Sequence, residues 1–171
     1  FAVTWFPSPH HPQEELPQGV EGAATLYDDE ETKKPGYFRE ITLLDEQVGR
    51  LRASLRELGV EKNTLLFYSS DNGGLVAESS GGRERKGSIY EGGLRVPAIL
   101  EWPAKFSHRE IDTPAFAADL YPTLLAIGGG EVENQPRLDG IDLHNVIEGK
   151  LTQRSPMGFW HGFMKGQGTW S

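Results

Sequence analysis

Apolar positions along the chain fall into five patterned stretches separated by polar ones. Tyr37 to Leu58 repeats Ile41, Leu44, Val48, Leu51, Leu55 and Leu58 at spacings of three and four. Charges fill the other face, so the spacing predicts an amphipathic helix whose stripe is core, stopped by Gly59. Leu65-Leu-Phe-Tyr68 is a short continuous apolar run, as expected of a strand covered on both faces. Phe1–Phe6 and Leu94–Trp102 read as further strands, the first ended by Pro7, Pro9 and Pro12, the second interrupted by Pro97 and ended by Pro103. Pro114 to Ile127 carries Phe116, Leu120, Leu124 and Ile127 on one face and predicts a second helix. Pro122 should kink it or split it into two short helices. Residues 13–35 and 75–93 are polar and glycine-bearing, and read as loops. A helical turn is expected within 139–149 and a strand at Met157–Phe163. Helix, short loop and buried strand in succession make half of a βαβ unit, with Phe1–Phe6 as the other half.

Composition narrows the function. The 171 residues carry 17 basic and 25 acidic side chains, a net charge of −8 that argues against a general nucleic-acid surface. With no cysteine there is no disulfide, thiolate metal site or cysteine nucleophile within these residues. No apolar run approaches the roughly 18 residues of a membrane span, and no signal-peptide pattern appears. The chain opens on an apolar run without Met and closes on Gly166-Gln-Gly-Thr-Trp-Ser171; it is expected to be a piece cut from a longer protein.

Candidate chemistry clusters in the loops. Asp71-Asn72 follows the apolar run and offers a carboxylate and an amide oxygen side by side, both hard ligands suited to Ca²⁺ or Mg²⁺. Asp-Asn-Gly-Gly is also ordinary turn chemistry, and the spacing is not that of an EF-hand. His10 and His11 stand at a strand end between prolines; in an extended chain only one of them faces a given site. Arg83, Arg85 and Lys86 form a basic cluster, either a solvated loop or an anion clamp, without the glycine spacing of a Walker A loop. Glu91 and Arg95 are a candidate ion pair beside it. His108, His144 and His161 show no partner pattern and read as structural or exposed. Together a histidine, hard-metal ligands and a lysine form the set that hydrolysis of a tetrahedral oxyanion ester requires.

These residues resemble the type I sulfatases. Asn63-Thr-Leu-Leu-Phe-Tyr-Ser-Ser-Asp-Asn-Gly-Gly74 is similar to the family's metal-binding strand and loop, and Lys86-Gly-Ser-Ile-Tyr-Glu-Gly-Gly-Leu-Arg-Val-Pro-Ala98 to its lysine loop and following strand. Ser8-Pro-His-His-Pro12 looks like its histidine loop. Asp112-Thr-Pro, Asp119-Leu-Tyr-Pro-Thr-Leu-Leu-Ala126 and Asp139-Gly-Ile-Asp-Leu143 resemble segments near its core. The resemblance implies an α/β fold, part of the alkaline-phosphatase-like α/β/α sandwich with a mostly parallel sheet, truncated at both ends. Residues 1–150 would be the C-terminal part of the catalytic domain, and 151–171 the start of a C-terminal subdomain. It implies Ca²⁺ on Asp71 and Asn72, sulfate contact by Lys86, and His10 beside the ester oxygen, with His11 the variable position. It implies a formylglycine nucleophile made from a Cys/Ser-x-Pro-x-Arg motif, which these residues lack, together with the Asp pair that completes the calcium site. The piece alone is therefore expected to be inactive, its partners being a sulfated small molecule or carbohydrate and the missing N-terminal half of the same domain. Family habit suggests a periplasmic or secreted protein. A phosphoester or phosphonate hydrolase of the same superfamily and a non-catalytic binding module on that scaffold are the alternatives.

Overall fold

A computed structural model describes residues 1–10, 27, 35–76, 79–130 and 136–157. It divides into two compact units, Phe1–Thr64 and Leu65–Ser171. In the first, helix α1 spans Pro35–Glu57, close to the stretch its apolar spacing predicts. Pro35 stands at the first helical position, where an amide proton would have no partner. At the other end Gly59 takes φ 67°, a left-handed conformation that a residue without Cβ adopts readily. That turn lets the Val60 amide donate to Leu55 O (3.0 Å) and the Gly59 amide to Arg56 O (2.9 Å), satisfying carbonyls the helix leaves open. Tyr37 is buried and meets Phe38 edge-on, with ring centroids 5.4 Å apart. Tyr27 pairs with Thr42 Oγ1 at 2.9 Å.

Two expectations fail in this unit. Ile41, Leu44, Val48 and Leu55 are half-buried, but Leu51 is exposed and Leu58 is 74% exposed. The stripe is therefore a surface of the helix rather than a finished core; periodicity defines a face and not what covers it. Phe1–Phe6 is not a strand. Its residues make no ladder among the described residues, and Phe1, Val3, Trp5 and Phe6 are exposed. β-forming side chains favour a strand only where a neighbouring strand accepts the hydrogen bonds and covers one face.

In the second unit, β1 (Leu66–Ser69) pairs antiparallel with β2 (Ala98–Glu101), in the register Leu66↔Glu101 to Ser69↔Ala98. Among the described residues this is the one sheet; it is antiparallel, and the mostly parallel sheet expected of the whole domain is not seen among them. The doubly covered strand is corrected: Leu66 and Tyr68 are half-buried while Phe67 and Ser69 are exposed, the alternation of a one-sided strand. The predicted strand at Leu94–Trp102 begins only after Pro97, which cannot donate to the ladder. Leu94 instead closes a short helix, α2 (Glu91–Leu94). The connection from Ser70 to Pro97, carrying both the Asp71-Asn72 and Lys86 segments, thus leaves and re-enters one end of a small sheet. Ser69 Oγ donates to Pro97 O at 3.1 Å and pins its two ends.

The predicted second helix is a pair. A 3-10 turn at Ala117–Asp119 runs into α3 (Leu120–Ile127). The junction precedes Pro122, which lies in the first turn of α3, where its missing amide costs little. The expected turn within 139–149 is α4 (His144–Ile147). Leu143 and Val146 are buried, as are Thr123 and the fully buried Asp119. The Asp119 carboxylate accepts from the amides of Phe116 (2.9 Å) and Ile141 (2.8 Å). It also takes two bonds from the Arg154 guanidinium, at 2.6 and 3.1 Å. Thr123 Oγ1 donates to Asp119 O (2.6 Å) and accepts from the Leu143 amide (2.9 Å). Every buried polar atom named here has a partner, the condition under which a buried charge is tolerated. The expected strand at 157–163 lies outside the described residues beyond Met157, as does the excursion at 13–35 apart from Tyr27 and Pro35.

Candidate active site

The two loops between β1 and β2 are joined by their main chains. The Gly73 amide donates to Gly93 O at 2.9 Å, and the Lys86 amide donates to Gly74 O at 2.9 Å. The Gly92 amide closes on Arg83 O at 2.7 Å. This approach requires glycine. A Cβ on Gly73 would lie 1.8 Å from Gly92 O, and a Cβ on Gly92 would lie 2.0 Å from Glu84 O. Glycines that look in sequence like flexible turn residues therefore serve as contact surfaces.

Asp71 is exposed and Asn72 half-buried, directly beyond β1. Ser70 Oγ donates to Asn72 O (2.9 Å) and Asn72 Nδ2 donates to Gly73 O (3.1 Å). With its NH₂ so engaged, Asn72 has its side-chain oxygen left as the part of that amide able to act as a ligand. The donor set is all oxygen and so fits a hard cation such as Ca²⁺, which takes 6–8 oxygen ligands. Two residues cannot complete that shell, and among the described residues no cluster of three or more His, Cys, Asp or Glu adds to them.

Lys86 is exposed on a loop held at both sides. Before it, Glu84 adopts φ 67° and Arg85 Nη1 donates to Leu75 O (3.3 Å); after it, the Ser88 amide donates to Arg85 O (3.1 Å). The Arg83 guanidinium lies 3.8 Å above the Tyr90 ring. Glu91 and Arg95 are joined by the Arg95 amide on Glu91 O (2.7 Å) rather than by their side chains. The candidate ion pair is thus a helix-end backbone bond, since the two side chains leave that short turn without meeting.

The Lys86 amide on Gly74 O joins the Lys86 loop to the segment that follows Asp71-Asn72, all in the second unit. His10 belongs to the first, where its amide donates to Pro7 O at 2.9 Å and the preceding Ser8–Pro9 bond is cis. His11 and Pro12 lie outside the described residues. His108 is exposed, and His144 Nδ1 sits 2.7 Å from Asp142 Oδ1, consistent with surface roles. Sequence reasoning missed the Gly92-Gly93 half of the loop junction and the stacked Arg83–Tyr90 pair. The signal for the first was present as the Gly-Gly dipeptide that follows the lysine.

The Sulfatase family model matches residues 1–130, and the chain belongs to that family. It is 34% identical to the steryl-sulfatase of Mus musculus over 131 residues, which are 70% of this chain and 21% of that protein. It is also 34% identical to the N-acetylgalactosamine-6-sulfatase of Sus scrofa over 135 residues, 74% of this chain and 26% of that protein. A solved structure, Ps i-CgsB in complex with k-i-k-neocarrahexaose, superposes with a TM-score of 0.69 at 31% identity, covering 84% of this chain and 32% of that one. The chain thus spans about a quarter of the curated relatives it matches.

Proposed function

We propose that this chain supplies the metal-loop and lysine-loop portion of a Ca²⁺-dependent sulfatase that hydrolyses a sulfate ester, with a sulfated carbohydrate as substrate. The main-chain junction of the two loops carries the reading. It sets an oxygen-ligand pair and a lysine on one rigid support, the arrangement an anionic ester needs. When bound, the cation neutralises ester oxygens. Asp71 and Asn72 hold it with their side-chain oxygens. The Lys86 ammonium contacts a sulfate oxygen and stabilises negative charge that grows during cleavage. His10 binds or protonates the leaving oxygen. The formylglycine nucleophile and the remaining ligands come from outside these 171 residues, so the chain by itself does not turn over. Residues 1–150 are assigned to the catalytic domain, whose complete sheet is mostly parallel, and 151–171 to the start of a further subdomain. The carbohydrate preference is supported by the neocarrahexaose held by the similar structure.

The test is Lys86→Ala in the complete protein. Loss of one such charge contact costs about 3 kcal/mol of transition-state stabilisation, roughly a hundredfold in kcat. Wild-type turnover in that variant overturns the assignment.

A further inference from the structure

The Arg83–Tyr90 pair has no part in the assignment above. Tyr90 stays 43% exposed although Arg83 covers it, and Arg83 is exposed as well. Both are held from the main chain: Arg83 O accepts from Gly92, Tyr90 O accepts from Gly93 and Leu94, and the Tyr90 amide donates to Ser88 Oγ at 3.1 Å. A guanidinium stacked by its face leaves its edge N–H donors for a ligand lying in its plane, and that fork matches the oxygens of a tetrahedral or planar anion. Among the described residues no carboxylate pairs with Arg83; Glu84 and Glu91, its acidic neighbours in sequence, make no ion pair with it. Arg83 to Tyr90 nevertheless concentrates three cations against one carboxylate, in a chain of net charge −8. A solvated surface arginine samples many rotamers. Here the ring and the glycine-locked loop have already ordered it, so binding an anion costs less conformational entropy.

We propose that Arg83, seated on Tyr90, is a second anion subsite that binds a sulfate flanking the scissile one, so that the substrate class is a multiply sulfated oligosaccharide. This rests on the sulfatase reading, in which Lys86 holds the scissile sulfate three residues further along the same loop. Tyr90 gives the guanidinium its orientation and offers its exposed edge to the sugar. Arg83 sits outside the bond-breaking step and acts on affinity alone.

The experiment compares two hexasaccharides of equal length in the complete protein, one sulfated on every disaccharide and one carrying the scissile sulfate only. Arg83→Ala should raise KM for the first about tenfold with kcat unchanged and leave the second as in wild type. Arg83→Lys should recover part of the loss, because it keeps the charge without the planar fork. Equal loss on both substrates, or loss in kcat, makes Arg83 a mere support of the lysine loop and overturns the subsite, as does no change on either. A wild-type protein that hydrolyses neither substrate sinks the sulfatase reading instead. Calorimetry then still decides the subsite, which requires the multiply sulfated hexasaccharide to bind wild type at least tenfold tighter than Arg83→Ala.

Discussion

Arg154→Met isolates the contribution of the buried ion pair. Asp119 is fully buried, the Arg154 side chain is only 8% exposed, and their two hydrogen bonds are short and forked. Methionine keeps much of the stem that packs toward Phe116, whose ring lies 5.4 Å from the guanidinium, but leaves the carboxylate without its counter-charge. Removing one partner of a buried pair typically costs 3–5 kcal/mol. Asp119 retains its two amide donors from Phe116 and Ile141, which places this case near the lower end, about 3 kcal/mol. Native-state hydrogen exchange reads that locally. The Phe116, Ile141 and Leu143 amides are all bonded within the network, so their opening free energy should fall by about 3 kcal/mol, an exchange rate more than a hundredfold faster. Amides of α1, in the other unit, should be unchanged. A double-mutant cycle with Asp119→Asn should give a coupling above ~1.5 kcal/mol. A loss below ~1 kcal/mol, the usual worth of an exposed pair, refutes the picture of a desolvated, interdependent network.

Three further outcomes follow from the loops. Asp71→Ala in the complete protein should abolish metal-dependent turnover, and a rate that still responds to Ca²⁺ removes Asp71 from the ligand set. Gly73→Ala, with no room for a Cβ against Gly92 O, should cost at least tenfold in kcat/KM through displacement of Lys86; unchanged kinetics would show that the loops move independently. The 171 residues alone should bind Ca²⁺ more weakly than micromolar by calorimetric titration, because two side chains supply too few oxygens.

What the sequence made legible was local. The stripe from Ile41 to Leu58 placed α1 to within a few residues because a helix face repeats within a turn or two. Asp71, Asn72 and Lys86 were legible as residue types suited to a cation and an anion. Their union was not, because it depends on amide and carbonyl groups that every residue carries; only the glycines at 73, 92 and 93 hinted at it. Asp119 read as one acid in an apolar segment. Its partners Ile141 and Arg154 lie 22 and 35 residues away, and no periodicity encodes contacts at such separations. Phe1–Phe6 misled for the converse reason, since strand-forming composition is expressed only beside a partner strand.

Because the seam between the two loops is main chain against main chain, it is indifferent to most side chains around it. Arg83 and Tyr90 take part through their main chains, so their side chains can be exchanged without altering which carbonyl meets which amide. On the proposed assignment, positions that meet a substrate are thereby separated from positions that hold the loop geometry, on a segment short enough to contain both. Such a division would let one loop scaffold be retargeted by surface substitutions, with the glycines at 73, 92 and 93 as its fixed points.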